Sequence, residues 1–310
     1  MDEFFGFNGE TVTVVLGNKI AIASDGKIVS VGTILLTPNA SAVLLKSDGT
    51  PDPRFGNFGG LVVDFPIADL ALQADGKIVI AGTTTVAGRT FFTVARYVTT
   101  GGTSLTPNQL FVAQVYADLL RRLPDTTGLA SYSGLLDRGV SRTQVVQQIE
   151  SSDEYHKLVV KDLYRRILGR FPDDSGNTSW SSFLNRGGTA KQMEAFLLGS
   201  DEYFKMAGGS NTSFLQAVYQ LVLHRPIDST GSQSWGKALA AGASRTAVAV
   251  AILASLEFDR LETQILFANW LHRSPDPSGL DTFTNLLQQG VSNETAIAII
   301  LSSDEYFAQI

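Results

Sequence analysis

The sequence predicts a multidomain α and β protein, with a small all-β N-terminal segment followed by all-α tandem three-helix repeats. Three observations carry this. Over residues 1–98, short apolar runs alternate with Asp-Gly turn signals. From Asn108 onward the apolar spacing becomes helical. Within that helical stretch a single loop segment recurs four times: R-L-P-D-T-T-G (Arg122–Gly128), R-F-P-D-D-S-G (Arg170–Gly176), R-P-I-D-S-T-G (Arg225–Gly231) and R-S-P-D-P-S-G (Arg273–Gly279). Self-similarity of this kind defines an architecture before any chemistry is considered.

In the β segment, strands are expected at Thr11–Leu16, Lys27–Val31, Ser41–Leu45, Lys77–Ala81 and Phe91–Tyr97. Asp25-Gly26, Asp48-Gly49 and Asp75-Gly76 suit tight turns with positive φ. A second repeat lies here. S-D-G-K-I-V-S-V-G (Ser24–Gly32) matches A-D-G-K-I-V-I-A-G (Ala74–Gly82), Phe5-Gly6 matches Phe55-Gly56, and Gly9 matches Gly59, always at an offset of 50 residues. The Gly/Thr-rich stretch Thr99–Pro107 has no periodicity and reads as a linker. The expected organisation is therefore a β-repeat segment over 1–98, a linker over 99–107, and helical repeats over 108–156, 157–208, 209–261 and 262–310.

The first helix of each unit carries an apolar stripe: Phe111, Val112, Val115, Tyr116, Leu119 and Leu120 in repeat 1, with counterparts from Val159 to Leu168 and from Phe214 to Leu223. In the fourth copy Glu262 and Thr263 replace the first two apolar positions, so that helix is expected to enter the core later, at Leu266. The motif Asp (Asp125, Asp173, Asp228, Asp276) is placed to cap the second helix. Tyr132, Trp180, Trp235 and Phe283, then Leu136, Leu184, Leu239 and Leu287, face inward on it. Gly139, Gly187, Gly242 and Gly290 fit left-handed helix ends, and Ser141, Thr189, Ser244 and Ser292 fit the next cap. Ile149, Leu197, Ile252 and Ile300 point inward on the third helix. S-D-E-Y or a variant follows (Ser152–Tyr155, Ser200–Tyr203, Ser255–Phe258, Ser303–Tyr306), a helix-start signature whose ring seals the joint between units.

Composition bounds the function. Of 310 residues, 44% are hydrophobic and 17% charged, enough for a packed core. A net charge of −6 disfavours non-specific nucleic-acid binding. The absence of cysteine excludes disulfides, thiol nucleophiles and cysteine-ligated metals. No apolar stretch is long enough to span a membrane, and M-D-E-F-F-G carries no secretion signal. His156, His224 and His272 sit in no ligand or triad pattern and read as surface or helix-end residues. The Asp loops are short of the roughly 6–8 oxygens calcium takes. Asp153-Glu154, Asp201-Glu202 and Asp304-Glu305 read as helix starts, not as opposed catalytic carboxylates. No acidic or His cluster that breaks the repeat pattern is visible, and the sequons at Asn39, Asn177, Asn211 and Asn293 carry no argument.

The loop R-x-P-D-x-x-G, the following aromatic, the Gly and the S-D-E-Y segment resemble the bacterial domain of unknown function related to the phycobilisome linker domain, over residues 108–310. That resemblance implies an all-α fold, no catalysis, and tandem occurrence in secreted and surface-layer-like proteins; without cysteine no bilin attachment is implied. D-P-R-F-G-N-F-G-G (Asp52–Gly60) and A-L-Q-A-D-G-K-I-V-I-A-G (Ala71–Gly82) resemble the delta-sixty β-propeller repeat. About two units are present against the roughly 4–8 blades of a closed propeller, so the β segment is expected to be partial, with an open edge available for self-association. The resulting expectation is a non-catalytic bacterial extracellular or cell-envelope scaffold or adhesion-type protein that binds a protein, envelope or polysaccharide surface. It has no nucleic-acid partner, no membrane span, no cofactor, and no catalytic or metal residues. A calcium-dependent module of a larger secreted protein, or an accessory region of a secreted hydrolase, are the alternatives.

Overall fold

The computed structural model describes residues 15–34, 40–52, 55, 60–63, 65–86, 88–98 and 105–310, which form seven strands and fourteen helices. Thr11–Val14, Phe5-Gly6, Gly9, Asn39, Gly56, Gly59 and most of the linker, Thr99–Ser104, lie outside these residues. The chain divides into two compact units, Met1–Val145 with Phe307–Ile310, and Val146–Tyr306.

In the first unit β1 (Val15–Ile22), β2 (Ile28–Ile34), β3 (Ala40–Leu45) and β4 (Gly60–Val63) form one antiparallel sheet in that order. A second antiparallel sheet holds β5 (Ile67–Leu72), β6 (Ile78–Val86) and β7 (Arg89–Tyr97). The 50-residue repeat is structural: the β1–β2 register shifts between Gly17 and Lys19, and the β5–β6 register shifts between Ile67 and Asp69. The Asp-Gly turns form as expected, with φ of 82°, 85° and 79° at Gly26, Gly49 and Gly76. Alternating residues of both sheets (Val29 and Val31, Ala42 and Leu44, Ile78 and Ile80) close one core with Phe55, Val63 and Phe65. Strands β4 and β5 were not expected. The first is only four residues long, and the second is bulged around Asp69, so neither shows a clean period of two.

Helices α1 (Pro107–Leu120), α2 (Thr126–Asp137) and α3 (Arg142–Glu150) make the first repeat; α4 (Asp153–Leu168), α5 (Asp174–Asn185) and α6 (Ala190–Leu198) make the second. A short helix α7 (Asp201–Met206) follows, set off by Gly208 and Gly209, both at positive φ, from the three helices α8 (Asn211–Val222), α9 (Ser229–Ala240) and α10 (Arg245–Leu253) of the third repeat. The fourth has α11 (Leu256–Leu271), α12 (Pro277–Gln288) and α13 (Asn293–Leu301), followed by α14 (Asp304–Ala308). Ser152, Ser200 and Ser255 each accept the backbone N–H of the ring residue three places on, so S-D-E-Y opens the helix that carries the next apolar stripe. Tyr155, Tyr203, Phe258 and Tyr306 are all buried. Gly139, Gly187, Gly242 and Gly290 take φ between 87° and 96°. The rings Tyr132, Trp180, Trp235 and Phe283 are only half-buried.

One expectation fails. Helix α11 is in the core from its first turn, with Phe258, Asp259 and Thr263 buried, although Asp259, Glu262 and Thr263 are polar. Polar and charged partners from α6, α12 and α13 make this possible.

Candidate functional site

Two kinds of side-chain constellation stand out: one repeated, one not. The repeated one is centred on the motif Arg. Arg170 donates through Nε and Nη2 to both carboxylate oxygens of Glu202, at 2.5 and 2.7 Å. Arg225 does the same to Glu257 (2.5 and 2.8 Å), and Arg273 to Glu305 (2.5 and 2.7 Å). Each guanidinium also donates Nη1 to the carbonyl of the next residue and lies 5.2 Å from a ring of its own first helix: Tyr164, Tyr219 or Phe267. A flat fork that meets a carboxylate on one side and a ring on the other is a job for Arg, not Lys. The clamp ties the motif loop to the first turn of the helix that S-D-E-Y or its variant opens. It holds Glu202, Glu257 and Glu305 below the usual carboxylate range, chiefly through the Arg hydrogen bonds. Sequence reasoning missed it, although a constant separation of 32 residues is its signal.

The motif Asp and Gly complete this joint. Asp125, Asp173, Asp228 and Asp276 accept the N–H of the motif Gly at 2.6–2.8 Å and so cap α2, α5, α9 and α12. That Gly is required by close approach: a Cβ at Gly231 would stand 2.8 Å from the Tyr219 hydroxyl. The same hydroxyls accept the indole N–H of Trp180 (3.2 Å, on Tyr164) and of Trp235 (2.9 Å, on Tyr219). Repeat 4 has Phe267 and Phe283 instead. There the two rings, with Leu271, Ile299 and Ile300, floor a cavity of about 360 Å³ rimmed by Arg273, Asp276 and Glu305. In repeat 2 the matching ground is aromatic: Trp180, Phe183 and Phe196 touch one another at centroid distances of 5.6–6.3 Å.

The non-repeated constellation corrects the expectation that no acidic cluster breaks the pattern. It is assembled in the second unit from α4, α6, α11, α12 and α13, with Glu150 at the end of α3. Arg166 pairs with Glu194 (2.9 Å), and Lys191 pairs with Asp259 (2.7 Å), which also accepts from Gln288. Asn293 donates to Glu262 (2.5 Å), and Glu294 accepts the backbone N–H of Ala190 at the start of α6 (3.0 Å). Burial, opposed by Arg166 and Lys191, pushes the Glu262 carboxyl up to about 7. Glu150, 4% exposed, has no hydrogen-bond partner on Oε1, and burial together with the facing Glu294 pushes it up to about 9. Glu194 Oε1 and Asn293 Oδ1 are likewise unpartnered. The network joins repeat 2 directly to repeat 4, so the units do more than stack in line. Arg166 and Lys191 each meet a carboxylate there, while among the described residues Glu150 meets no cation.

His272 caps α11, and His224 follows the C-cap of α8, both in left-handed conformation with φ of 52° and 54°, where repeat 2 has Gly169 at 66°. His156 Nδ1 meets Asn185 Oδ1 on the surface. Among the described residues no group of three or more acids and histidines is placed to hold a metal ion, and no helix is long and apolar enough to cross a membrane.

Fold and site define a tandem helical-repeat protein that carries paired, propeller-like antiparallel sheets. Residues 90–159 and 193–261 match a domain of unknown function, DUF4214, and residues 73–102 match the domain of unknown function DUF5122, a beta-propeller. No curated protein and no solved structure matches the chain.

Proposed function

We propose that this chain is a non-catalytic binding scaffold of the bacterial envelope or extracellular space, and that its helical repeats present an aromatic surface to an envelope protein or polysaccharide. The observation that carries the reading is a division of labour in repeat 2. The recurring Arg, Asp, Gly and Glu are occupied in joints and caps, while two rings of this repeat remain open to solvent: Phe171 is 64% exposed and Phe196 49%. Flat rings at a polar rim suit sugar faces and extended peptides, and exposed apolar patches of this kind mark interaction surfaces. The acidity of the chain and its lack of cysteine support the setting. The kinship of the helical repeats with phycobilisome linker domains is part of the same proposal, without a pigment.

Co-sedimentation of the full chain with bacterial envelope fractions, intact or stripped of protein, tests it. The wild-type chain is retained, and Phe171→Ala with Phe196→Ala lowers retention about tenfold, the effect of one or two lost ring contacts. A wild-type chain that stays in the supernatant with both fractions refutes it.

A further inference from the structure

Repeat 4 departs from repeats 2 and 3 at one aromatic joint. In those repeats the ring that follows the motif Gly is an indole. Its N–H donates to the Tyr hydroxyl of the first helix, Trp180 to Tyr164 at 3.2 Å and Trp235 to Tyr219 at 2.9 Å. In repeat 2 the indole also lies against Phe196 of α6, with centroids 5.9 Å apart. Repeat 4 carries Phe283 in place of the Trp, Phe267 in place of the Tyr and Ile299 in place of Phe196. These exchanges remove a pyrrole ring with its N–H, a hydroxyl and a benzene ring. Phe267 and Phe283 meet edge to face, 5.1 Å apart at 89°, and with Ile299 and Ile300 they line the cavity of about 360 Å³.

The lining determines what fits. Phe267, Leu271, Phe283, Ile299 and Ile300 are apolar, and Arg273, Asp276 and Glu305 stand at the rim. An apolar hollow with a few polar groups is the common build of a small-molecule site. An apolar cavity of about 150 Å³ binds benzene in another protein, so the space in repeat 4 admits a fused pair of rings. Arg273 donates to both oxygens of Glu305, and Asp276 adds a second carboxylate, which leaves the rim with negative charge in excess. Such a rim repels an anion and accepts from a ring N–H.

We propose that this cavity binds an indole-type ring, neutral or cationic, at the joint where repeats 2 and 3 carry a Trp of their own. The ring lies against Phe267, Phe283 and Ile299, and its N–H donates to the carboxylates of the rim. The ring is either a free small molecule or the side chain of a Trp in a polypeptide. The site is in a different repeat from Phe171 and Phe196 and stands without the envelope reading.

Calorimetry on the full chain, with indole and with N-acetyltryptophanamide, tests it. Saturable binding of either ring supports the site, and the tighter of the two tells the free molecule from the side chain. Indole-3-acetate is expected to bind about tenfold more weakly than indole, since its carboxylate meets Asp276 and Glu305. Phe283→Trp with Phe267→Tyr rebuilds the internal pair of repeats 2 and 3, and Ile299→Phe narrows the same space from α13. Each is expected to weaken indole binding about tenfold or more, and either suffices if the other fails to keep its helical circular dichroism. Phe171→Ala with Phe196→Ala is expected to keep wild-type affinity for indole, which separates this site from the surface invoked for envelope retention. No heat with either ring, equal affinity for indole-3-acetate, unchanged affinity in a folded filling variant, or a loss on removing Phe171 and Phe196 overturns the proposal.

Discussion

Glu150 is the position where the fold carries its clearest electrostatic cost. Eleven residues after the left-handed Gly of each repeat stand Glu150, Leu198, Leu253 and Leu301. The three Leu side chains are fully buried, and so is the Glu, with one oxygen lacking a partner. Its carboxyl is raised from 4.5 to about 9, first by burial and then by Glu294. The folded state therefore holds a proton that the unfolded chain releases. The group's contribution to stability is complete below pH 4.5 and declines as pH rises, until both states are ionised above about 9. Each pH unit costs about 1.36 kcal/mol, so by pH 7 the cost is about 3 kcal/mol. Glu150→Leu removes it and adds buried apolar area. In a unit of this size about 3 kcal/mol corresponds to a rise of about 6–12 °C in Tm. Glu150→Gln removes the pH dependence but leaves a polar group without a partner, so it gains less than Leu. The assay is urea unfolding of wild type and both variants at intervals from pH 5 to 9. The gap between wild type and Glu150→Leu is expected to widen steadily with pH. Parallel curves, or a variant less stable than wild type at pH 7, refute the assignment of a buried, protonated Glu150.

Three further outcomes follow from the repeat geometry. In α9, Gly236 has open space where a Cβ would go, while Gly231 faces the Tyr219 hydroxyl at 2.8 Å. Gly236→Ala therefore raises stability by about 1 kcal/mol, and Gly231→Ala lowers it by about 1–3 kcal/mol, a pair of opposite signs read in one thermal-melt series. His224 is exposed with φ of 54°, and His224→Gly relieves a left-handed strain of about 1 kcal/mol, seen as a higher urea midpoint with an unchanged m-value. Arg225→Ala cuts the clamp to Glu257 and the stack on Tyr219; since both charged groups are more than a third exposed, the loss is about 0.5–1 kcal/mol and shrinks in high salt. The lowered Glu257 carboxyl places that contribution above its ordinary range, so it fades as pH falls through the folded value, and denaturant melts at pH 7 and pH 3 check this.

What the sequence made legible is what the chain writes locally and more than once. Caps at Asp125, Asp173, Asp228 and Asp276, left-handed glycines, inward Ile149, Leu197, Ile252 and Ile300, and buried rings of S-D-E-Y all depend on neighbours within about four residues, and four copies average out accidents. The Arg–Glu clamp was hidden because its halves stand 32 residues apart and each half already had a local explanation. The buried charge network was hidden for a different reason. Lys191, Glu194, Asp259 and Glu294 each look like ordinary helix-surface residues, and what buries them is the packing of repeat 2 on repeat 4, which no local pattern encodes. The usable trace was columnar: Glu150 against three Leu, and Glu194 against Val146, Ala249 and Ile297.

That trace also bears on how four similar units find a single arrangement. Their apolar faces are near copies, so hydrophobic burial alone discriminates poorly between one pairing and another. The charges do discriminate. At the position of Lys191 the other repeats carry Thr143, Thr246 and Glu294; at the position of Asp259, just after the S-D-E-Y ring, they carry His156, Phe204 and Phe307. Among these combinations only Lys191 with Asp259 sets a permanent cation against a carboxylate, and those are the two that meet, with Asp259 1% exposed. Exchanging repeat 3 for repeat 2 sets Thr246 against Asp259 and leaves a buried carboxylate without its cation, a cost of about 3–5 kcal/mol. The network adds little net stability, since pairing in the interior roughly repays desolvation, but it raises the energy of the wrong packings more than that of the right one. Glu150 belongs to the same logic: its proton is retained at neutral pH because burial first, and Glu294 second, make ionising the costlier alternative.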